Sequence, residues 1–357
     1  MKVLVLPSNI ASMPAITVER LLKAGIDARA LFIDSNPYQD NKNFASYQLK
    51  NLPYGFPQKV FNISRFYRDT VKAIRWADVI HWCGTFSIPL LKITLPLIRY
   101  YNKPCLVEWV GSDIRIPEVE FLDNPYYKAI FHHGYEYAYE SLAHSRKIQT
   151  LYKNAGFIPL VFPGMEQYIL PDIFPEYTKY IQRIDLAKYT PEYPSPTNTK
   201  PLIVHAPTAP VCKGTKYIVE AIDKLKQKYD LEFILVHKFD RQKALETIRR
   251  SDIFIDQLIL GSYGMATMEA FAFGKPVLCY MKPSVTGCFP GTSPIINANP
   301  DTVYERIENL LLHPELRTAK GTESRKYAET YHNIDSVLDP LIHIYEETIR
   351  KKMKDRD

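Results

Sequence analysis

Two stretches in the second half of the chain carry side chains that could do chemistry. His205-Ala-Pro-Thr-Ala-Pro-Val-Cys-Lys-Gly-Thr215 leaves an apolar, strand-like run and sets Lys213 on a glycine turn. Asp252-Ile-Phe-Ile-Asp-Gln-Leu-Ile-Leu-Gly-Ser-Tyr-Gly-Met-Ala-Thr-Met-Glu-Ala-Phe-Ala-Phe-Gly-Lys-Pro-Val277 leaves a second such run, with Tyr263 and Gly264 ahead of a helix expected to begin near Ala266. Amides at Met265 and Ala266, at the positive end of that helix, make an anion site. Gly264 lets the backbone approach a diphosphate, and Lys213 can add a full positive charge. Glu269, in the first turns of the same helix, can accept two ribose hydroxyls. A nucleotide-sugar diphosphate uses all three features. Each also has a plainer use: Gly264 and Gly274 as turn residues, Glu269 as a charge complementing the helix dipole, Lys213 as a solvated lysine.

The first half offers less. His81 ends the run Asp78-Val-Ile-His81, and either faces a cleft edge or sits satisfied in a core. Asp113 and Arg115, in Gly111-Ser-Asp-Ile-Arg115, either bind donor phosphate or acceptor or pair with each other. Ser8-Asn-Ile-Ala-Ser-Met-Pro14 fills the loop after the first run, and His132-His133 lie in a helix where structural use is expected.

The elements that must position these residues read as alternating strands and helices. Lys2 to Leu6, Arg29 to Ile33, Asp78 to Trp82, Cys105 to Val110, Gly156 to Phe162 and Thr178 to Ile184 are expected strands. Ile16 to Ala24, Arg65 to Trp76 and Tyr126 to Ala143 are expected helices between them. Tyr189 to Lys200, with three prolines among polar residues, reads as a linker. Beyond it, strands are expected at Leu202 to Ala206, Leu231 to His237, Asp252 to Asp256 and Pro276 to Met281. Helices are expected at Tyr217 to Lys228, Arg241 to Arg250 and Thr267 to Phe273. Continuous apolar strands alternating with helices imply parallel sheets covered on both faces, here two doubly wound α/β domains in tandem.

Composition narrows the function. The 357 residues are 46% hydrophobic and 24% charged, enough for two real cores without disulfides or a structural metal. Five cysteines, with no C-x-x-C pair, suggest a reducing, cytoplasmic setting. The opening apolar stretch is too short for a signal peptide, and Phe86 to Ile98 is broken by Pro89, Lys92 and Pro96, so a soluble protein is expected. No two glycines are spaced as G-x-G, and G-K-[ST], G-x-S-x-G and H-E-x-x-H are all absent, which removes the usual dinucleotide, P-loop, serine-hydrolase and zinc-protease patterns. The one D-x-D, Asp355-Arg-Asp357, lies in a charged tail rather than after a strand, so no metal site is expected. Basic residues form no dense arginine–aromatic stripe, which argues against nucleic acid.

The Lys213-Gly214 turn, Tyr263-Gly264 and Glu269-Ala-Phe-Ala-Phe-Gly-Lys-Pro-Val277 together resemble retaining GT-B glycosyltransferases of family 4, most specifically from Leu202 to Val277. Asn297-Ala-Asn-Pro-Asp301 through Tyr331-His332 looks like that family's C-terminal helices. The resemblance implies two Rossmann-like doubly wound domains facing a cleft: an acceptor-side domain over 1–187, a linker over 188–200, a nucleotide-sugar domain over 201–335, and a C-terminal helix and basic tail over 336–357 crossing back to the first domain. It implies a hexosyltransferase of polysaccharide biosynthesis that works without metal or cofactor. The sugar would pass from a nucleotide-sugar donor to a glycan or lipid-linked acceptor with retention. Lys213, Glu269, Asp113 and His81 become its candidate catalytic residues. Lys213, Tyr263, Gly264, Met265, Ala266, Glu269 and Arg115 become its donor-binding residues.

Three differences stand beside that resemblance. Gly261 occupies the place of the family's first acid, no arginine precedes Lys213 in the loop, and Val110-Gly111 replaces a His-Gly pair. They motivate alternative readings: a non-catalytic partner subunit of a glycosylation complex, or a GT-B epimerase or phosphorylase. Charge is unevenly spread, at +4 over residues 1–187, −1 over 188–349 and +3 over 350–357. If the tail returns to the first domain, that side suits peripheral contact with an anionic membrane at the inner face.

Overall fold

The computed structural model describes residues 1–33, 44–47, 56–84 and 88–354; Asp355 to Asp357 lie outside the described residues. Contacts divide the chain into two compact units. The first comprises Met1–Arg115, Ser141–Arg183 and Val337–Asp357, and the second Ile116–Glu140 and Ile184–Ser336.

The first unit is built on seven parallel strands: β1 (Lys2–Pro7), β2 (Asp27–Ile33), β3 (Ala45–Tyr47), β4 (Val79–Cys83), β5 (Cys105–Glu108), β6 (Phe157–Val161) and β7 (Thr178–Lys179). Their spatial order is β3-β2-β1-β4-β5-β6-β7. β4 and β5 are buried along their whole length, as strands covered on both faces must be. The chain moves outward from β1 in one direction and then resumes at β4 on the other side. The topological switch point therefore lies between β1 and β4.

The second unit repeats the plan with five parallel strands: β8 (Leu202–His205), β9 (Glu232–Leu235), β10 (Ile253–Ile255), β11 (Val277–Cys279) and β12 (Ile296–Asn297). Their order is β12-β11-β10-β8-β9, so the switch point falls between β8 and β10. One face of the sheet packs Val204, Phe254 and Val277 under the Met265–Ala272 helix. The other packs Ile203, Ile253 and Leu278 against the Thr215–Leu225 and Val303–Leu312 helices. Thr215–Leu225 buries Ile218, Ala221, Ile222 and Leu225, an i, i+3, i+4, i+7 stripe. Arg241–Arg250 starts at Asp240, whose carboxylate accepts from the Lys243 amide at 2.8 Å.

The structure departs from the sequence reading in three places. The helix expected over Tyr126 to Ala143 is broken into Pro125–Ile130 and Leu142–Asn154. Gly134 adopts a left-handed φ of 81°, and Ser141 restarts the helix by accepting from the His144 amide at 3.0 Å. The strand expected over Thr178 to Ile184 is a strand only at Thr178–Lys179, with an isolated parallel bridge from Ile184 to Asn333. Beyond it, the Arg183 side chain turns inward to the buried Glu108 carboxylate, 3.0 Å away. The proline-rich stretch has no strand or helix but packs on the second unit: the Glu192 amide donates to the Phe273 carbonyl at 2.9 Å, and Tyr189 is buried.

Candidate functional site

In the second unit, the connections leaving β8 and β10 flank the switch point at the carboxyl edge of the sheet, where open α/β folds bind ligands. Lys213 ends the short helix Pro210–Lys213 after β8. Gly214 then takes a left-handed φ of 75° and opens the Thr215–Leu225 helix. A Cβ on Gly214 would come within 3.1 Å of Leu258 and Ile259, so the turn needs glycine for both conformation and space. The loop is held from below by Glu136, whose carboxylate accepts from the Val211 and Cys212 amides at 2.7 and 2.9 Å.

Lys213 reaches across the switch point and pairs with Asp256, at the end of β10. Asp256 is almost wholly buried, and its other oxygen accepts from the Thr267 hydroxyl at 2.7 Å and faces the Gly264 amide at 3.4 Å. Burial opposes the charge on both partners of the pair. The opposite charge at contact outweighs it, raising the Lys213 pKa and lowering that of Asp256. Asp256 thus ties together the lysine turn, the glycine loop and the first turn of the Met265–Ala272 helix.

Gly264, Met265 and Ala266 are partly exposed at the start of that helix. Its first-turn amides have no acceptor within the helix, an arrangement that suits an anion. Glu269 lies one turn further in, and its Oε1 is 2.9 Å from Arg241 Nη2. Burial raises the Glu269 pKa, with Arg241 opposing and the Asp256 carboxylate adding to the rise. His205, under the site, points Nδ1 to the Ile255 carbonyl at 2.8 Å and Nε2 to the Thr215 hydroxyl at 2.9 Å. Burial pushes its pKa down to about 4. A neutral ring therefore donates from Nδ1 and accepts at Nε2.

Gly261 has a φ of 74°, and a Cβ there would lie 2.8–2.9 Å from the stem of Lys282. The Lys282 ammonium is buried on Glu120 at 2.9 Å and Asp123 at 3.1 Å. An acid at 261 has neither the backbone conformation nor the room.

Two sequence candidates fall in cores. Tyr263 is buried, stacked on Phe289 with centroids 4.3 Å apart, and its hydroxyl meets His332 Nε2 at 2.9 Å. His81 is fully buried in the first unit, with Nε2 2.9 Å from Glu108 and Nδ1 2.7 Å from the Tyr345 hydroxyl. Neither has surface to offer a substrate. Asp113 and Arg115 follow β5, where Asp113 accepts from the Val110 amide at 3.0 Å and Arg115 packs over Gly111. The loop after β1 is closed by Asn9, which accepts from the Ala15 amide at 3.1 Å.

Among the described residues, His81, Cys83 and Glu108 bring ligand-type atoms within 4.8 Å of one another. The Arg183 guanidinium on Glu108 opposes a dication there, and burial together with the Glu108 carboxylate pushes the Cys83 thiol up. The donor set fits an internal ion pair rather than a metal.

Sequence reasoning missed Asp256, Arg241, Glu136 and Lys282. An acid closing an otherwise apolar strand was the available signal for Asp256. The other three arrive from elements that no local motif connects.

Two doubly wound units of this kind define the GT-B fold. The chain matches no protein-family model and no curated protein sequence. Solved structures resemble it over nearly its whole length. A sucrose-phosphate synthase from Thermosynechococcus elongatus aligns at a TM-score of 0.62 and 13% identity, over 98% of this chain and 99% of that one. An α-glucosyltransferase in complex with UDP-glucose and DNA containing an abasic site aligns at 0.65 and 12%, over 97% and 99%. Anabaena HepE in complex with UDP aligns at 0.62 and 10%, over 97% and 100%.

Proposed function

We propose that the chain is a glycosyltransferase that takes a sugar from a nucleotide-sugar donor, with retention, and delivers it to a glycan or lipid-linked acceptor. The observation that carries this is the meeting of Lys213 with the Gly264–Ala266 helix start through Asp256 at the β8/β10 switch point. The leaving diphosphate gains negative charge as the glycosidic bond breaks. Lys213 and the amides of Met265 and Ala266 would stabilise it, a role that a metal serves elsewhere. Glu269, oriented by Arg241, would accept ribose hydroxyls. UDP is the nucleotide to test first, because two structures of this fold hold it.

The test is calorimetric binding of UDP, GDP and ADP and of their sugars, followed by turnover with candidate acceptors. Binding of one nucleotide class that Lys213→Met abolishes supports the reading. No binding of any nucleotide overturns it and favours the partner-subunit alternative. Turnover of the donor to an isomeric nucleotide-sugar without acceptor would identify an epimerase instead.

A further inference from the structure

The first unit carries a basic surface that its fold does not use. The Phe56–Trp76 helix buries Phe66, Thr70, Ala73 and Ile74 on its inner side. Its outer side exposes Phe61, Arg65, Arg68, Lys72 and Arg75, at i, i+4, i+7, i+11 and i+14, which is one face of an α-helix. Asp69 is the one acid on this helix. Its carboxylate is shared by the Tyr47 hydroxyl at 2.9 Å, Arg68 at 3.1 Å and Arg65 at 3.8 Å. Phe61, 58% exposed, extends the same face beyond the cations, and Val60, 49% exposed, flanks it.

The charge continues past the end of the helix. Lys103 donates to the Arg75 carbonyl at 3.2 Å, just ahead of β5. Lys352, in the Ile334–Lys354 helix, stands over Gly156, its ammonium 3.9 Å from where a side chain there would begin. Gly156 precedes Phe157, which pairs with Cys105 across β5 and β6, so Lys103 and Lys352 sit at the same amino edge of one sheet. Tyr100, 80% exposed, lies beside Lys103 in sequence at the end of the Ile88–Tyr100 helix. Two acids also lie at this edge: Asp78, which accepts from the Lys2 amide at 2.8 Å, and the exposed Asp27 that opens β2 beside Lys2.

We infer that this face docks the protein on an anionic lipid bilayer. Four cations along one helix match a layer of anionic headgroups. The exposed Val60, Phe61 and Tyr100 favour a bilayer over a nucleic-acid backbone, because headgroup interfaces take up apolar and aromatic side chains that phosphate oxygens do not. The helix connects parallel strands and so runs against them, which brings Val60 and Phe61 to the carboxyl edge of the sheet. That is the edge where α/β units receive ligands. Docking deepens the proposed function only in this respect, since a lipid-linked acceptor would enter beside Phe61.

Co-sedimentation of the full chain with phosphatidylcholine vesicles, with and without one-quarter phosphatidylglycerol, tests the inference at 50 and 300 mM salt. Binding only to the anionic vesicles, weakened at high salt, is expected. The quadruple substitution Arg65→Gln, Arg68→Gln, Lys72→Gln and Arg75→Gln should lower that binding at least tenfold, and Phe61→Ser should lower the part that survives high salt. Far-ultraviolet dichroism and thermal melting of both variants confirm that they are folded. Absence of vesicle binding, or wild-type binding by the quadruple variant, overturns the inference. So does displacement of the vesicles by a 20-base-pair duplex. Nucleotide binding measured on the same preparation without vesicles separates failure of this surface from failure of the transferase reading.

Discussion

Lys213 and Asp256 belong to two different strand-to-helix connections of the second unit, and their side chains form an ion pair across the crevice between β8 and β10. Both are well buried, Lys213 exposing 14% of its side chain and Asp256 1%. Truncating the lysine would leave a buried, unpaired carboxylate. Lys213→Met should therefore destabilise the second unit by about 3–5 kcal/mol and lower nucleotide diphosphate affinity at least tenfold. The double variant Lys213→Met/Asp256→Asn should recover most of the stability and none of the affinity. Urea denaturation and UDP calorimetry read the two effects separately, and wild-type UDP affinity in either variant would remove Lys213 from the phosphate site.

The same pair sets a pH window. The lowered Asp256 pKa contributes stability above about pH 4 that is lost as pH falls through its folded-state value. The raised Lys213 pKa contributes stability below about pH 10 that is lost as pH rises through its own. Between those limits the pair should leave stability and UDP affinity flat, which measurements at pH 7 and 8.5, above the range in which His205 titrates, would check.

His205 adds a separate acid limb. Its pKa falls from 6.5 to about 4 on folding, so between those values the unfolded state binds the proton that the native state refuses. Stability should drop progressively below pH 6.5, by about 3 kcal/mol in total. His205→Gln should start lower at pH 7 and show a shallower fall between pH 6.5 and 4.5. An equal fall in both proteins would place the proton elsewhere.

Gly261 can be tested by adding a single methyl group. Gly261→Ala places a Cβ at a φ of 74° and against the Lys282 stem, so a loss of about 1–3 kcal/mol is expected. Gly261→Glu, which restores the acid common in the family that the sequence resembles, should fold worse still. Thermal melting of both variants is sufficient, and a stable Gly261→Glu protein would contradict the packing described here.

In the first unit, Glu108 is buried between Arg183 at 3.0 Å and His81 at 2.9 Å. Burial pushes its pKa up, and the two neighbours outweigh that to bring it down. Glu108→Ala should cost about 3–5 kcal/mol. Tyr345→Phe, which removes only the hydroxyl facing His81, should cost about 1 kcal/mol. Neither should alter UDP affinity, a result that would separate this network from the donor site.

Much of the fold was legible because parallel strands buried on both faces are written as continuous apolar runs, as β10 and β11 are, whereas the edge strand β9 opens on the exposed Glu232 and is legible from its remaining apolar residues. The Lys213 turn and the helix start at Gly264 were legible for a similar reason, since glycine and lysine at a strand's end announce a loop for anions. Asp256 was hidden because a carboxylate in that position looks like the polar end of a strand until its partner 43 residues away is seen. The break at Gly134 was hidden because helical periodicity carries through it, and only the Ser141 cap restarts the register. The sequence leaves His81 open between a cleft edge and a core and offers Tyr263 to the donor, because the partners that bury them, Glu108, Tyr345 and His332, come from distant parts of the chain.

The separation between His81 and Tyr345 has a consequence for biosynthesis. The two side chains that meet in the first unit are 264 residues apart, and the whole of Ile184–Ser336, most of the second unit, is made between Arg183 and Val337. At translation rates of about 5–20 residues per second, the nascent first unit waits on the order of ten to thirty seconds for the helix segment that covers His81. During that interval the second unit can complete its own sheet, so the chain's amino-terminal sheet is expected to be the later of the two to reach its native packing.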